Sequence, residues 1–261
     1  MKSRQRVFIV GHNKTGTRSI HQFLSRNRFR GVHWDNGRLA ESMARNLARG
    51  RPLVEGYDRY EVFSDMESVA WGTYGPRPAG HVAPPGRLIY AYRWFTLLDR
   101  QEPGSLFISN TRPLAEWLES RITHEHGLYA EACRAALAWR SRDPLFSLDD
   151  LRAHWSDEFH EHARLLREHF RDSPRFLEID ITAPDAGEQL AEFLERHGRA
   201  IPSRSMPHLG ARAAESTIPR TAGSIASAAA TRRSTWCGRP PDHSANERGS
   251  GDDTKSGTRF E

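Results

Sequence analysis

The most constraining feature of this chain is the segment Val7 to Ser19, VFIVGHNKTGTRS, near its start. An apolar run of strand length leads into a loop that begins at Gly11 and ends at Gly16, and the loop holds a lysine and a threonine. The residues after it, from about Thr17 to Leu24, predict a helix. A strand, a glycine-bounded turn and a helix N-terminus together form the usual cradle for a phosphate, because free N–H groups and the helix dipole point at the anion.

The spacing inside this loop departs from the Walker pattern of ATPases and GTPases. That pattern has a glycine, four residues, and then Gly-Lys-Ser/Thr. Gly11 and Gly16 are correctly spaced, but Thr17 occupies the lysine position, and Lys14 lies two residues before Gly16. The loop therefore argues against an ordinary ATPase or GTPase.

The loop resembles the 5′-phosphosulfate loop of sulfotransferases that use 3′-phosphoadenylyl sulfate (PAPS), whose core after the first strand is matched by Lys14-Thr15-Gly16-Thr17. A second segment, Ser105 to Arg121, resembles the family's 3′-phosphate signature, in which a strand ends at an arginine and a serine follows eight residues later. Arg112 and Ser120 have that spacing. An arginine at a strand end offers a bidentate fork to a phosphate.

The resemblance covers about Val7 to Gly198 and implies transfer of a sulfuryl group from PAPS to a hydroxyl or amine of a small-molecule or glycan acceptor. Lys14 would neutralise the charge that develops on the oxygen bridging sulfur and the 5′-phosphate. Arg112 and Ser120 would hold the 3′-phosphate. The 5′-phosphate would be held by backbone N–H and hydroxyl groups of the loop and first helical turn, namely Lys14, Thr15, Gly16, Thr17, Arg18 and Ser19. Ser19 stands where many members of that family have an adenine-stacking tryptophan, so the resemblance assigns no adenine-binding residue.

A hydroxyl acceptor needs a general base, because an un-ionised alcohol is a poor nucleophile. The candidates are His33 and Asp35 after the second strand, and Asp65 and Glu67 after the third. We favour His33 and Asp35, since strand alternation would put both side chains on one face beside the Lys14 loop. An equally open interpretation is that Asp35 is a turn or cap residue and His33 a satisfied core histidine.

Strands alternate with helices along the chain, which predicts an α/β fold: a three-layer, doubly wound parallel sheet of the P-loop NTPase type. Both phosphate motifs would lie at the carboxyl edge of this sheet. A further helix is expected over Trp155 to Phe170, with Ser156 or a neighbour as its cap. Further strands are expected at Phe29–Asp35, Tyr60–Met66, SLFISNTR (105–112) and Arg175–Ile181.

The charge distribution and the composition limit which classes of partner and ligand we expect. The net charge is +5, but ten of the 38 Lys and Arg and six of the 33 Asp and Glu lie from Arg199 onward, which leaves 28 and 27 in the preceding part. Such a near-neutral body does not predict a nucleic-acid-binding face. The sequence has no stretch of membrane-span length and no signal peptide, so we expect a cytoplasmic protein without a membrane partner. The two cysteines lack zinc-ligand spacing, and no metal is expected.

The character of the chain changes after the last predicted helix. Residues 1–210 predict one sulfotransferase-like domain, whereas residues 211–261, rich in Ala, Ser, Arg, Gly and Pro, predict a disordered tail. The segment 72–86 is rich in Gly and Pro and predicts a loop. Two other functions stay open on these data: a P-loop kinase of a small metabolite, and a non-catalytic protein that keeps the nucleotide-binding fold.

Overall fold

A computed structural model describes residues 5–69 and 88–207, all of which belong to one compact unit. The loop expected at 72–86 and the tail expected at 211–261 lie outside the described residues. The strands are β1 (Val7–Ile9), β2 (Gly31–His33), β3 (Val62–Ser64), β4 (Glu67–Val69), β5 (Leu88–Tyr90), β6 (Leu106–Thr111) and β7 (Phe176–Asp180). The helices are α1 (Thr17–Arg26), α2 (Arg38–Ala48), α3 (Phe95–Gln101), α4 (Leu114–Ile122), α5 (Leu128–Ser141), α6 (Leu148–His169) and α7 (Ala186–Arg196).

Five strands form one parallel sheet in the order β2-β3-β1-β6-β7. Strand β1 is central, and the chain runs from it first to β2 and β3 on one side and later to β6 and β7 on the other. The boundary between β1 and β6 is therefore the switch point of the sheet, outside whose carboxyl edge ligands bind in folds of this kind. The predicted α/β class with a parallel sheet is confirmed.

Helices cover both faces of the sheet because successive strand residues point to opposite sides. On one face Val7 and Ile9 of β1 pack with apolar residues of α1 and α7. On the other face Phe8 of β1 packs with α2, α3 and α6, and its ring stacks on Phe63 and Phe107 of the neighbouring strands at centroid distances of 5.1 and 5.5 Å. The central strand β1, Val7–Ile9, is apolar and fully buried, as a strand covered on both faces requires.

A second, smaller layer lies beside this sheet. Strands β4 and β5 pair antiparallel, and α4, α5 and α6 share a third apolar cluster around Trp117 and Trp155. Helix α6 begins at Leu148, earlier than predicted, because Ser147 and Asp150 form a capping box. The prediction of Ser156 as the cap is therefore wrong, and Ser156 lies inside the helix.

Candidate functional site at the carboxyl edge of the sheet

The loop between β1 and α1 is held in place by Asn110 of β6. The Asn110 side-chain amide donates hydrogen bonds to the carbonyl oxygen of Thr15 at 2.9 Å and to its hydroxyl oxygen at 2.6 Å. The Thr15 hydroxyl in turn donates to the carbonyl of His12. A Cβ added at Gly11 would lie 2.3 Å from the Asn110 Oδ1, so only glycine allows this close approach. Thr15 is fully buried, and its side chain shapes the loop.

Gly16 ends the loop and begins α1. Its φ of +89° lies in the left-handed region, and a Cβ there would lie 2.5 Å from Ile181 Cγ1, so glycine is needed on both counts. No side chain caps the helix start. By helix geometry the N–H groups of Thr17 and Arg18 have no intrahelical acceptor, and they point out of the N-terminus toward any anion seated in the loop.

Lys14 is the cation of this loop. Its backbone also has a positive φ, of 65°, and its Nζ lies 3.4 Å from the Nδ1 of His124. Burial lowers the pKa of Lys14, and the negative charge of Asp65 opposes that effect. His124 stands in a 3₁₀ turn, His124–Gly127, between α4 and α5, and its contact with Lys14 was not predicted from the sequence.

Arg112 brings the second phosphate motif to the same place. It follows β6 directly, and its guanidinium donates a hydrogen bond of 3.4 Å to the carbonyl of Lys14. Another guanidinium nitrogen pairs with Glu116 at 2.7 Å, while the buried Nε has no hydrogen-bond partner among the described residues. The two motifs, about a hundred residues apart in sequence, therefore meet at the boundary between β1 and β6.

Helix α4 carries Ser120 and is fastened to the loop by Trp117. The Trp117 indole N–H donates to the carbonyl of Asn13 at 2.9 Å, and its ring packs 4.9 Å from the ring of His12. Ser120 lies half-buried, three residues further along the helix. Sequence reasoning missed Trp117, although its place one turn before Ser120 was a signal that could have found it.

The structure separates the two favoured base candidates. Strand β2 ends at His33, and the next three residues, Trp34, Asp35 and Asn36, all have positive φ values of 50–56°. The strand alternation that would have aligned His33 with Asp35 stops there. Asp35 accepts a hydrogen bond of 3.3 Å from the Tyr57 hydroxyl and faces the guanidinium of Arg38 at 3.7 Å. The Asp35 side chain therefore stabilises the turn that leads into α2.

His33 instead faces Asp65, which follows β3. The Asp65 Oδ2 lies 3.6 Å from the Nε2 of His33, and both side chains are only about one-fifth exposed. Burial and the charge of Glu67 raise the pKa of Asp65 to about 7, against opposing effects of Arg121 and Lys14. Burial lowers the pKa of His33 to about 4. Asp65 thus changes charge near neutral pH, where a general base works best.

A buried ion pair stands behind Asp65. Glu67 in β4 pairs at 3.0 Å with Arg121, the last-turn arginine of α4, and both also contact the Tyr129 hydroxyl. The Arg121 side chain is fully buried, and its guanidinium lies 4.4 Å from the ring centroid of Trp155 and 5.0 Å from that of Trp117. This network joins the helix that carries Ser120 to the strand that follows Asp65.

Comparison with known proteins adds no assignment: no family model matches the chain, and no curated protein matches it. Within residues 5–69 and 88–207, no group of three or more His, Cys, Asp or Glu side chains is arranged to hold a metal ion. The same residues contain no helix with both the length and the apolar character needed to cross a bilayer.

Proposed function

We propose that this protein is a PAPS-dependent sulfotransferase, and that the edge of the sheet beside β1 and β6 is its nucleotide site. The observation that carries the proposal is the contact between the Arg112 guanidinium and the Lys14 carbonyl. This contact brings the Lys14 loop and the arginine at the end of β6 together next to the switch point of the sheet. A ligand with two separate phosphates requires two such neighbouring anion-binding elements. PAPS supplies the sulfuryl group and leaves as 3′,5′-adenosine bisphosphate.

The loop and first helical turn suit the 5′-phosphate. Gly11 and Gly16 let the loop pack closely against Asn110 and Ile181, and the free N–H groups of Thr17 and Arg18 at the start of α1 are directed toward an anion in the loop. Lys14 is partly buried, so its ammonium acts on the transferring group with less screening by solvent than a surface lysine would. The P-loop NTPase type of this fold is part of the same proposal.

Arg112 and Ser120 suit the 3′-phosphate. A buried guanidinium nitrogen without a hydrogen-bond partner is costly, and a phosphate oxygen would satisfy the Nε of Arg112. Glu116 pairs with another nitrogen of that guanidinium, so it orients the fork and also competes with the ligand. Ser120, on the same helix, adds a hydroxyl donor.

We assign the general base to Asp65 rather than to Asp35. Asp65 interacts with Lys14 electrostatically and has a pKa of about 7, whereas Asp35 is engaged by Tyr57 and Arg38. A carboxylate with that pKa accepts a proton from an acceptor hydroxyl and releases it again at neutral pH. The acceptor is a hydroxyl or amine of a small molecule or a glycan, and the proposal needs neither nucleic acid nor a membrane.

Calorimetric titration with 3′,5′-adenosine bisphosphate tests the proposal, with ATP plus Mg²⁺ titrated in parallel. We expect micromolar bisphosphate binding, which Arg112→Ala weakens by about 1.5–3 kcal/mol, the usual loss for a hydrogen bond to a charged group. Arg51→Ala is the matched control, because Arg51 also pairs with a glutamate four residues later, Glu55, but contacts nothing in the loop. It should bind like the wild type.

Two other results would redirect the assignment. A preference for ATP plus Mg²⁺ would favour the P-loop kinase of a small metabolite. Absence of binding to either nucleotide would favour a non-catalytic protein that keeps the fold. Equal weakening by Arg112→Ala and Arg51→Ala would mean that the Arg112 effect is general electrostatics and that its placement beside Lys14 has no role in binding.

A further inference from the structure

A row of hydrogen-bonding side chains leads away from Asp65 through the edge of the sheet. The Asp65 Oδ2 faces the Nε2 of His33 at 3.6 Å. The Nδ1 of His33 lies 3.0 Å from the Ser64 hydroxyl oxygen, and that oxygen lies 3.2 Å from the Nδ1 of His21. Ser64 is fully buried, whereas His21, on α1, is only partly buried. The row therefore connects a group in the candidate site with a side chain that reaches solvent.

The absence of a side chain at Gly31 lets these residues come together. A Cβ on Gly31 of β2 would lie 2.6 Å from the Cε1 of His21, so glycine at this strand position lets the His21 ring approach the sheet. The rings of His21 and His33 then lie 5.3 Å apart, with the Ser64 hydroxyl between their nitrogens. A strand glycine otherwise weakens a strand, and close approach of another group is a common reason for one.

We infer that Asp65, His33, Ser64 and His21 form a proton relay, which takes the proton of the acceptor from the buried site to solvent. This inference rests on the proposed function. In the resting state His33 donates its Nδ1 proton to Ser64. The Ser64 hydroxyl has two acceptors within reach, the His21 Nδ1 at 3.2 Å and the Val32 carbonyl at 3.4 Å, and in the relay it donates to the nearer one, His21. The unprotonated Nε2 of His33 faces Asp65 and is ready to receive a proton.

The proton balance of one turnover is as follows. The acceptor oxygen bonds to sulfur as its O–H proton passes to the Asp65 carboxylate, and the sulfur bond to the 5′-phosphate oxygen breaks, its electron pair leaving with the bisphosphate. The carboxyl proton then passes to His33 Nε2 while His33 Nδ1 releases its proton to Ser64. Ser64 passes its own proton to His21 Nδ1, and His21 Nε2 releases one to water. Rotation of the His33 and His21 rings then returns their protons to the starting positions before the next turnover. A small rotation of His33 or Asp65 closes the 3.6 Å gap.

The surrounding charges favour a concerted transfer. His33 is flanked by Asp65, by His21 and by the cation of Arg18, while Asp65 is flanked by Lys14, Glu67 and Arg121. Burial first, and then the neighbouring His21 and Arg18, disfavour a full positive charge on the His33 ring. The ring therefore gains a proton on one nitrogen as it loses one from the other. The positive charges of Arg121 and Lys14 favour the anionic form of Asp65 and so help it to give up the proton.

The first test reads the relay without any turnover. Long-range ¹⁵N–¹H spectra of the imidazoles give the tautomer and titration of each histidine, in wild type, Ser64→Ala and Ser25→Ala. Ser25 is the matched control, because its hydroxyl bonds to the His21 carbonyl and not to the His21 ring. Ser64→Ala should shift both His21 and His33 signals, whereas Ser25→Ala should leave them in place. Unchanged spectra in Ser64→Ala would overturn the relay.

The second test uses PAPS, with water as the probe acceptor, and measures bisphosphate release against pH in the full chain. We expect Ser64→Ala to slow release at least tenfold and to lower its solvent isotope effect, with bisphosphate affinity unchanged. Asp65→Asn should remove the acidic limb of the profile. Release by Ser64→Ala at the rate of Ser25→Ala would overturn the relay. If the wild type neither binds bisphosphate nor consumes PAPS, the proposed function fails, and the imidazole spectra still decide whether the proton path exists.

Discussion

Breaking the buried ion pair between Glu67 and Arg121 should destabilise the protein strongly. The side chains of the two residues are 3 % and 0 % exposed, so Glu67→Gln leaves a guanidinium uncompensated in the interior. Removal of one partner from such a pair costs about 3–5 kcal/mol. Gln retains an oxygen acceptor and the aromatic rings around Arg121 remain, which places the loss near 3 kcal/mol. For a domain of this size that corresponds to a fall in Tm of roughly 6–12 °C.

Urea unfolding followed by tryptophan fluorescence measures this loss, since Trp117 and Trp155 surround the guanidinium. Glu55→Gln is the control: Glu55 pairs with Arg51 at the surface, where such a pair contributes about 0–1 kcal/mol. The double variant Glu67→Gln/Arg121→Met should lose less than the sum of the single losses, because it leaves no unpaired charge. A loss below about 1 kcal/mol for Glu67→Gln, or strictly additive losses, would refute the reasoning.

Two further predictions concern the loop and the pH dependence of stability. Gly16→Ala should abolish bisphosphate binding, whereas Gly56→Ala should not affect binding; both glycines have a φ of +89°, but only at Gly16 does an added Cβ meet a neighbour, Ile181 at 2.5 Å. The buried His162, which donates to the Val10 carbonyl, has its pKa lowered by burial from 6.5 to about 4, so the unfolded chain binds more protons between these values. The free energy of unfolding should therefore fall as pH falls through this window, and His162 should contribute up to about 1.4 kcal/mol per pH unit. Urea unfolding at pH 7, 6 and 5 measures this dependence, and the free energy should change less with pH in His162→Gln than in the wild type.

The parallel sheet and the loop could be predicted because their signals are local. Buried strands leave continuous apolar runs such as Val7 to Val10, and glycines bound the turn that follows. The ends of the strands were predicted less accurately than their positions in the chain. The second strand was expected over Phe29–Asp35 but covers only Gly31–His33, because Trp34 and the residues after it take up positive φ values that the sequence does not announce.

The smaller layer was not predicted. Strand β4, Glu67–Val69, is three residues long and begins with a glutamate, which does not predict a buried strand. Glu67 is buried because it pairs with Arg121, which lies far along the chain. Helix α5, Leu128–Ser141, had a readable signal in its alanine-rich sequence without internal Gly or Pro.

The candidate site divides in the same way. Lys14, Gly16 and Arg112 belong to short motifs, so the sequence alone could single them out. The pairing of His33 with Asp65 and the contact of Lys14 with His124 join residues that lie 32 and 110 positions apart. Such contacts depend on strand order and on turn conformation, which is why strand alternation alone favoured Asp35 as the neighbour of His33, whereas the structure places Asp65 there.

The most direct test of the central claim is the preference of the protein for 3′,5′-adenosine bisphosphate over 5′-AMP, measured by calorimetry. The two ligands differ only in the 3′-phosphate, which Arg112 is proposed to hold. The wild type should bind the bisphosphate at least tenfold more tightly, Arg112→Ala should lose that preference, and Lys14→Ala should weaken both ligands alike. Equal affinity of the wild type for the two ligands would contradict a PAPS site at this edge of the sheet.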